Sequence, residues 1–231
     1  MKGIVYGIGV GPGDPRDITL KALDTIKESD VIILPSAPKE ECHAYRIVKQ
    51  IYPKLDLKEV LCLPFLMVKD KDLLEQSHDA IYQQIANMLE EGKQVGFLTI
   101  GDPTIYATYS YIHKRVLQNG GQAQLISGIP SFCAVAAALG ISLGEQQEEI
   151  HIIPSSYPIE HTIDWKGTKI YMKSGKKMSE LKQLLWNHPR KQQVYAVSNC
   201  GMPEEHIMHG VEELNENSPY LTVVITKEQQ D

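Results

Sequence analysis

Cysteine, arginine and aromatic rings are scarce in this chain, and the usual glycine signatures for phosphate binding are absent. The four cysteines, Cys42, Cys62, Cys133 and Cys200, are scattered and form no Cys-x-x-Cys pair. That argues against a zinc site and against a disulfide scaffold, and for a reducing cytoplasm. No G-x-x-x-x-G-K-[ST] loop occurs. Pro12 and Asp14 stand where a dinucleotide fingerprint would need glycine. No apolar run of about 18 residues exists, so no membrane span is expected. The start, Met1-Lys2-Gly3-Ile4-Val5-Tyr6, lacks a small-residue cleavage site, so no secretory signal is expected. There are only four arginines and the net charge is −6, a poor balance for a general nucleic-acid binder.

What is present is enough apolar material, 42% of 231 residues, for a real core. Strands and helices alternate through the first half. Strands are expected at Ile4–Val10, Val31–Leu34, Glu59–Leu63 and Val95–Thr99. Helices are expected at Asp17–Lys27, with Leu20, Leu23 and Ile26 on one side and Asp17 or Thr19 as cap, and at Glu41–Ile51. A long helix over Asp72–Glu91 carries Leu74, His78, Ile81, Ile85 and Met88 at helical spacing, and Gly92 stops it. A further helix is expected over Thr104–Gln118. This alternation predicts a mainly parallel sheet covered by helices. The second half reads as a small-residue helix, Ser131–Leu139, then strands at Glu149–Ile153, Thr168–Met172, Gln193–Ser198 and Tyr220–Thr226, with a helix at Met178–Trp186. Two α/β domains are expected, residues 1–125 and 126–231, with a frayed polar tail from Glu228 to Asp231.

Three turns stand out. Gly7, Gly9, Gly11 and Gly13 alternate and close on Asp14-Pro15. Missing side chains there allow another backbone or a flat ligand to come close. Gly101-Asp102-Pro103 sits where a strand ends and a helix is expected to start, so Asp102 reads either as a helix cap or as a ligand-side group. Ser127-Gly128-Ile129-Pro130-Ser131-Phe132 repeats the logic at the next junction, and alone would read as a linker with a capping serine.

In that order, the three turns resemble the tetrapyrrole (corrin/porphyrin) methyltransferase family. The likeness continues in Ile170-Tyr171-Met172, in Ser198 to Glu205 and in Tyr220-Leu221-Thr222-Val223-Val224. The opening turn and the Gly128-Ile129-Pro130-Ser131-Phe132-Cys133-Ala134 segment are most similar to members that methylate C-20 of precorrin-2 or its cobalt form. Ile18 before Thr19 departs mildly from the leucine of many relatives.

The resemblance implies S-adenosylmethionine as methyl donor, S-adenosylhomocysteine as product, and a cofactor site in the cleft between two α/β domains. It implies cofactor contacts from Pro12, Gly101, Asp102, Ile105, Tyr106, Ser131 and Phe132, and from Met172, Cys200, Leu221 and Thr222. It also implies a homodimer, to which the apolar run Leu61 to Val68 lends modest support. A carboxylate-rich ring approaching an acidic protein needs a local basic patch. Arg16 and Arg46 are the first candidates and Lys173, Lys176 and Lys177 the next, although any one of them alone reads as a solvated surface charge. No general base is singled out. Tyr106, Tyr220 and His151 are candidates, and each also reads as structural. His206 and His209, three apart on an expected helix, read as surface residues and not as metal ligands. The rival readings keep the fold: another ring position, an RNA or protein target, or a ligand-binding module without catalysis.

Overall fold

The computed structural model describes residues 2–36, 38–66, 68, 70–190 and 192–228. Met67 of the apolar run and Gln229 to Asp231 of the expected tail lie outside the described residues. The chain divides into two compact units, Met1–Pro130 and Ser131–Asp231.

The first unit runs β1 (Ile4–Gly9), α1 (Leu20–Glu28), β2 (Val31–Leu34), α2 (His43–Ile51), β3 (Glu59–Cys62), α3 (Lys71–Glu90), β4 (Gln94–Thr99), α4 (Tyr109–Gln118) and β5 (Gln122–Ile126). Its sheet is wholly parallel, in the order β3-β2-β4-β1-β5. Val5, Val31, Ile33, Val95 and Phe97 pack with α3 and α4 on one face. Ile8, Ile32 and Ser29, just past α1, close around the bare α-carbon of Gly96 on the other. The apolar run of β2 is buried at every position, as a strand covered on both faces must be.

Local chemistry explains the element ends. Thr19 accepts the Ala22 N–H and starts α1. Asp70 accepts the N–H groups of Asp72 and Leu73 and starts α3. Gly92, at φ +88°, ends α3: its N–H reaches Leu89 and that of Lys93 reaches Met88.

Several expectations need correction. Leu20 is 80% exposed, and α1 buries Ala22 and Ile26 instead. Leu20 stands two residues before Ala22, about 200° around the helix from it. Helix α4 starts at Tyr109 and not at Thr104, because residues 102–108 form tight turns in which Tyr106 takes a left-handed φ of 48°. Asp102 is therefore no helix cap. Glu228 is the last residue of a strand and not part of a tail.

The second unit runs α5 (Ser131–Leu139), β6 (Ile150–Pro154), β7 (Thr168–Met172), α6 (Met178–Asn187), β8 (Gln192–Ser198), β9 (His206–His209) and β10 (Thr222–Glu228). Its sheet has the order β6-β7-β10-β8-β9, with β6 and β7 parallel and the other pairs antiparallel. Helix α6 packs Met178, Leu181 and Leu185 onto Tyr171, Val194, Ala196 and Val224. His206 and His209 lie on β9 and not on a helix, and three strand positions place them on opposite faces. Among the described residues no helix is long and apolar enough to cross a membrane.

Candidate functional site

Strands β4, β1 and β5 are neighbours in a parallel sheet, so their carboxyl ends release three loops side by side. The chain leaves β1 through α1 on one face and β4 through α4 on the other. In open α/β sheets such a reversal is where ligands bind.

These loops interlock through glycine. The Gly101 N–H donates to the Gly11 carbonyl at 2.8 Å, the Gly11 N–H donates to the Gly101 carbonyl at 3.3 Å, and the Val10 N–H reaches the Thr99 carbonyl at 3.0 Å. A Cβ on Gly9 would sit 2.6 Å from both the Gly101 oxygen and the Gly128 nitrogen. One on Gly128 would sit 2.2 Å from the Gly101 oxygen. Gly7 serves packing instead. Its missing Cβ makes room for the Tyr109 ring, 2.1 Å from where that carbon would be. The alternating glycines thus split into a packing position and a loop-contact position.

Asp102 is 7% exposed. Its Oδ1 accepts from the Thr104 N–H at 2.8 Å and from the Thr104 hydroxyl, and its Oδ2 accepts from the Gly128 N–H at 3.0 Å. Thr19 adds a second tie, its hydroxyl donating to the Ser127 carbonyl at 3.3 Å. Pro12 and Gly101 are buried within this knot, Ile105 is half-buried and Tyr106 is 45% exposed.

Arg16 and Arg46 lie on adjoining parts of the first unit, since α2 packs against the Pro15–Asp17 turn. Arg46 is exposed on α2. Arg16 is held by Asp14, whose two oxygens each accept from its Nε at 3.0 Å. The hydrogen bonds from Arg16 hold the Asp14 carboxyl below its ordinary range. Burial, then the charge of Asp14, raises the carboxyl of Asp17.

In the second unit, β7 and β8 end where antiparallel β10 begins. Met172, Cys200, Leu221 and Thr222 therefore come to one edge of that sheet. The Thr222 hydroxyl donates to the Pro219 carbonyl at 2.7 Å and lies 2.8 Å from the Ser198 hydroxyl. The Asn199 N–H reaches the Leu221 carbonyl at 2.9 Å. Lys173 and Asn199, at φ 59° and 52°, follow the strand ends in left-handed backbone. Such backbone costs about 1–3 kcal/mol for a residue with a side chain, and it gathers at functional sites. The Lys173 ammonium lies 5.8 Å from the centroid of the exposed Tyr220 ring. Lys177 pairs with Glu180. Phe132 is buried and Ser131 half-buried at the start of α5, which packs on β8 and β10.

His151 is not brought to this edge. It sits near the opposite end of β6, with Nε2 2.9 Å from the Lys166 carbonyl and its ring 5.0 Å from Trp165. Among the described residues no group of His, Cys, Asp and Glu could hold a metal ion.

Close backbone approach is expected at the alternating glycines and is found at Gly9; the sequence reading missed the matching role of Gly128, the two ties of Asp102 and Thr19, and the strained Lys173 and Asn199. The available signal was a glycine beside Asp or Ser after each of three strands, Gly13-Asp14 after β1, Gly101-Asp102 after β4 and Ser127-Gly128 after β5.

Comparison with known proteins bears on this arrangement. The family model for tetrapyrrole (corrin/porphyrin) methylases matches residues 4–214. A probable cobalt-precorrin-2 C(20)-methyltransferase of Methanocaldococcus jannaschii is 35% identical over 227 residues, covering 96% of this chain and 95% of that one. The cobalt-precorrin-2 C(20)-methyltransferase of Salmonella typhimurium is 25% identical, covering 99% and 98%. Among solved structures, uroporphyrin-III C-methyltransferase of Thermus thermophilus, complexed with S-adenosylhomocysteine, matches with a TM-score of 0.73 at 19% identity, covering 97% of each chain.

Proposed function

We propose, from the premise that this chain belongs to the tetrapyrrole (corrin/porphyrin) methylase family, that it transfers a methyl group from S-adenosylmethionine to C-20 of precorrin-2 or cobalt-precorrin-2. The reaction belongs to cobalamin biosynthesis, and the proposed location is the cytoplasm. The observation that carries the reading is likeness along nearly the whole chain to the C(20)-methyltransferases.

The residues fit a methyl donor of this kind. The bound sulfonium supplies an activated methyl, so what is left to the protein is to hold it in line with a nucleophilic carbon. Orientation is worth on the order of 7–11 kcal/mol in favourable cases. The β4 and β1 loops offer Pro12, Gly101, Ile105 and Tyr106 for donor contacts, and the second unit's strand edge offers Met172, Cys200, Leu221 and Thr222, with Ser131 and Phe132 on α5. Backbone groups freed of side chains suit the polar edges of the donor. Exposed Tyr106 and Tyr220 remain candidates for the general base, a role that only the phenolate form can fill for the proton lost from the methylated carbon. His151, near the opposite end of β6 from Met172, is the weakest of the three.

The test is turnover of metal-free and cobalt-loaded ring with donor carrying a labelled methyl, followed by NMR. A methyl at C-20 supports the reading. A methyl at another carbon replaces it with a second member of the same chemistry. Donor binding without turnover would point to a ligand-binding module.

Arg46 is the proposed contact for ring carboxylates, with Arg16 beside it. Arg46→Ala is expected to raise the KM for the ring about twofold to fivefold, the range of an exposed charge pair, and to leave donor affinity unchanged. The effect should shrink as salt rises. Wild-type KM in the variant would move the basic patch to Lys173.

The chain is further proposed to be a homodimer. Phe65 is packed within its own unit, its ring 5.9 Å from Phe97 and 5.5 Å from His78, so it cannot report on an interface cleanly. Leu66 and Val68 are 47% and 41% exposed and are better reporters. Light scattering is expected to give twice the chain mass of 25.9 kDa, and Leu66→Asp to weaken that association. A mass of one chain at micromolar concentration would rule the dimer out.

A further inference from the structure

The Asp102 carboxylate is already committed before any ligand arrives. Its Oδ1 takes the Thr104 N–H and hydroxyl, its Oδ2 takes the Gly128 N–H, and the group is 7% exposed. A charged acceptor placed on a backbone N–H makes a stronger bond than a neutral one. The bond to Gly128 spans 26 residues of sequence and joins the loop after β4 to the loop after β5. Gly9, on the strand lying between those two, has room for both loops only because it lacks a side chain.

We propose that Asp102 is a positioning residue. Its side chain fixes the Gly128 loop against the Gly101 loop, and the methyl donor meets the backbone so arranged instead of the carboxylate. This rests on the methyl-donor reading above and narrows it: the carboxylate is withdrawn from donor contact, and since the Gly101 N–H and carbonyl are paired with Gly11 and the Ile105 N–H with the Asp102 carbonyl, what these turns offer the donor is bare α-carbon surface and the second lone pairs of carbonyls. Thr104 supports the arrangement by holding Oδ1, which leaves Oδ2 aimed at Gly128.

Asparagine is the informative replacement. Three donors converge on this group, and an amide offers one acceptor oxygen while turning an NH2 toward a donor. In the donor-free full-length protein, Asp102→Asn is expected to speed hydrogen exchange of the Gly128 amide at least tenfold, read by NMR, while the amides of β2 exchange as in wild type. The KM for S-adenosylmethionine is expected to rise about tenfold, with kcat falling less than threefold. A residue serving stability alone would speed exchange throughout the unit and leave KM unchanged. Should the asparagine variant not fold, Thr104→Val, which removes one hydroxyl from Oδ1, is expected to speed Gly128 exchange less but in the same direction. Equal Gly128 exchange in wild type and variant overturns the proposal, as does an unchanged donor KM. Wild-type protein that fails to bind the donor in calorimetry would instead defeat the methyl-donor reading, while the exchange measurement still reports on the tie.

Discussion

Alanine at position 128 is expected to lower affinity for S-adenosylmethionine at least a hundredfold, about 2.7 kcal/mol. The backbone of Gly128 is not left-handed, so the effect is purely steric. The new methyl would meet the Gly101 oxygen at 2.2 Å and the Gly9 carbonyl carbon at 2.7 Å. Both are backbone atoms and cannot swing aside as a side-chain end would. The loops must part, at a cost of about 1–3 kcal/mol in stability. Calorimetry for binding and urea unfolding for stability check the two effects separately. Affinity within threefold of wild type, in a protein of wild-type stability, would show that the loop contact is irrelevant to the donor.

Gly7→Ala is expected to destabilise the first unit by about 2–3 kcal/mol, as overpacking does. The added carbon would lie 2.1 Å from the Tyr109 ring, which is fully buried and whose hydroxyl lies within 3.2 Å of the Val5 carbonyl and 3.1 Å of the Gln124 carbonyl. Burial also drives the Tyr109 phenol well above its ordinary pKa, so it stays protonated and available as a donor. Shrinking the ring should relieve the clash. The double variant Gly7→Ala, Tyr109→Leu is expected to lose at least about 1 kcal/mol less than the sum of the single losses. Strict additivity in urea unfolding would mean that Gly7 and Tyr109 do not compete for the same space. Gly7 and Gly128 both lack a Cβ that a neighbour would meet, yet the variant at one should report through packing and the variant at the other through the donor.

Much of the architecture was legible because buried strands announce themselves. Val31–Leu34 was readable as a short apolar run, Thr168–Met172 as a strand-like run despite Thr168 and Lys169, and α3 as a long stripe at helical spacing. β5 was not: Gln-Ala-Gln-Leu-Ile is an edge strand with exposed positions, and its pairing with β1 leaves no mark in its own composition. The start of α4 was misread because helical spacing continues through Ile105 and Tyr109, while a buried carboxylate and a left-handed Tyr106 hold the intervening residues in turns. Leu20 shows that an apolar residue at a helix start need not join the buried stripe.

The candidate site was legible as three turns and as a family likeness. The division of labour inside it was not. Asp102 carries the same three letters whether it caps a helix, touches a ligand or ties two loops, and only the position of Gly128 decides. The gathering of Met172, Cys200 and Thr222 at one sheet edge depends on β7 and β8 both opposing β10, which is a property of strand order and not of local sequence.

The order in which the chain is made bears on the knot of Gly9, Gly101 and Gly128. Its members lie far apart in the sequence, and each must cross the sheet through a helix before reaching the others. Contacts so distant carry a loop-closure cost that must be met before they give anything back. A growing chain that has emerged through α4 holds two of the three loops and lacks the strand that presents the third. It exposes the flank of β1 where β5 will pair, with its backbone groups unsatisfied. The knot therefore forms late and all at once, when Gln122–Ile126 docks, and a fragment ending before that strand should lack it and be prone to associate through the open edge.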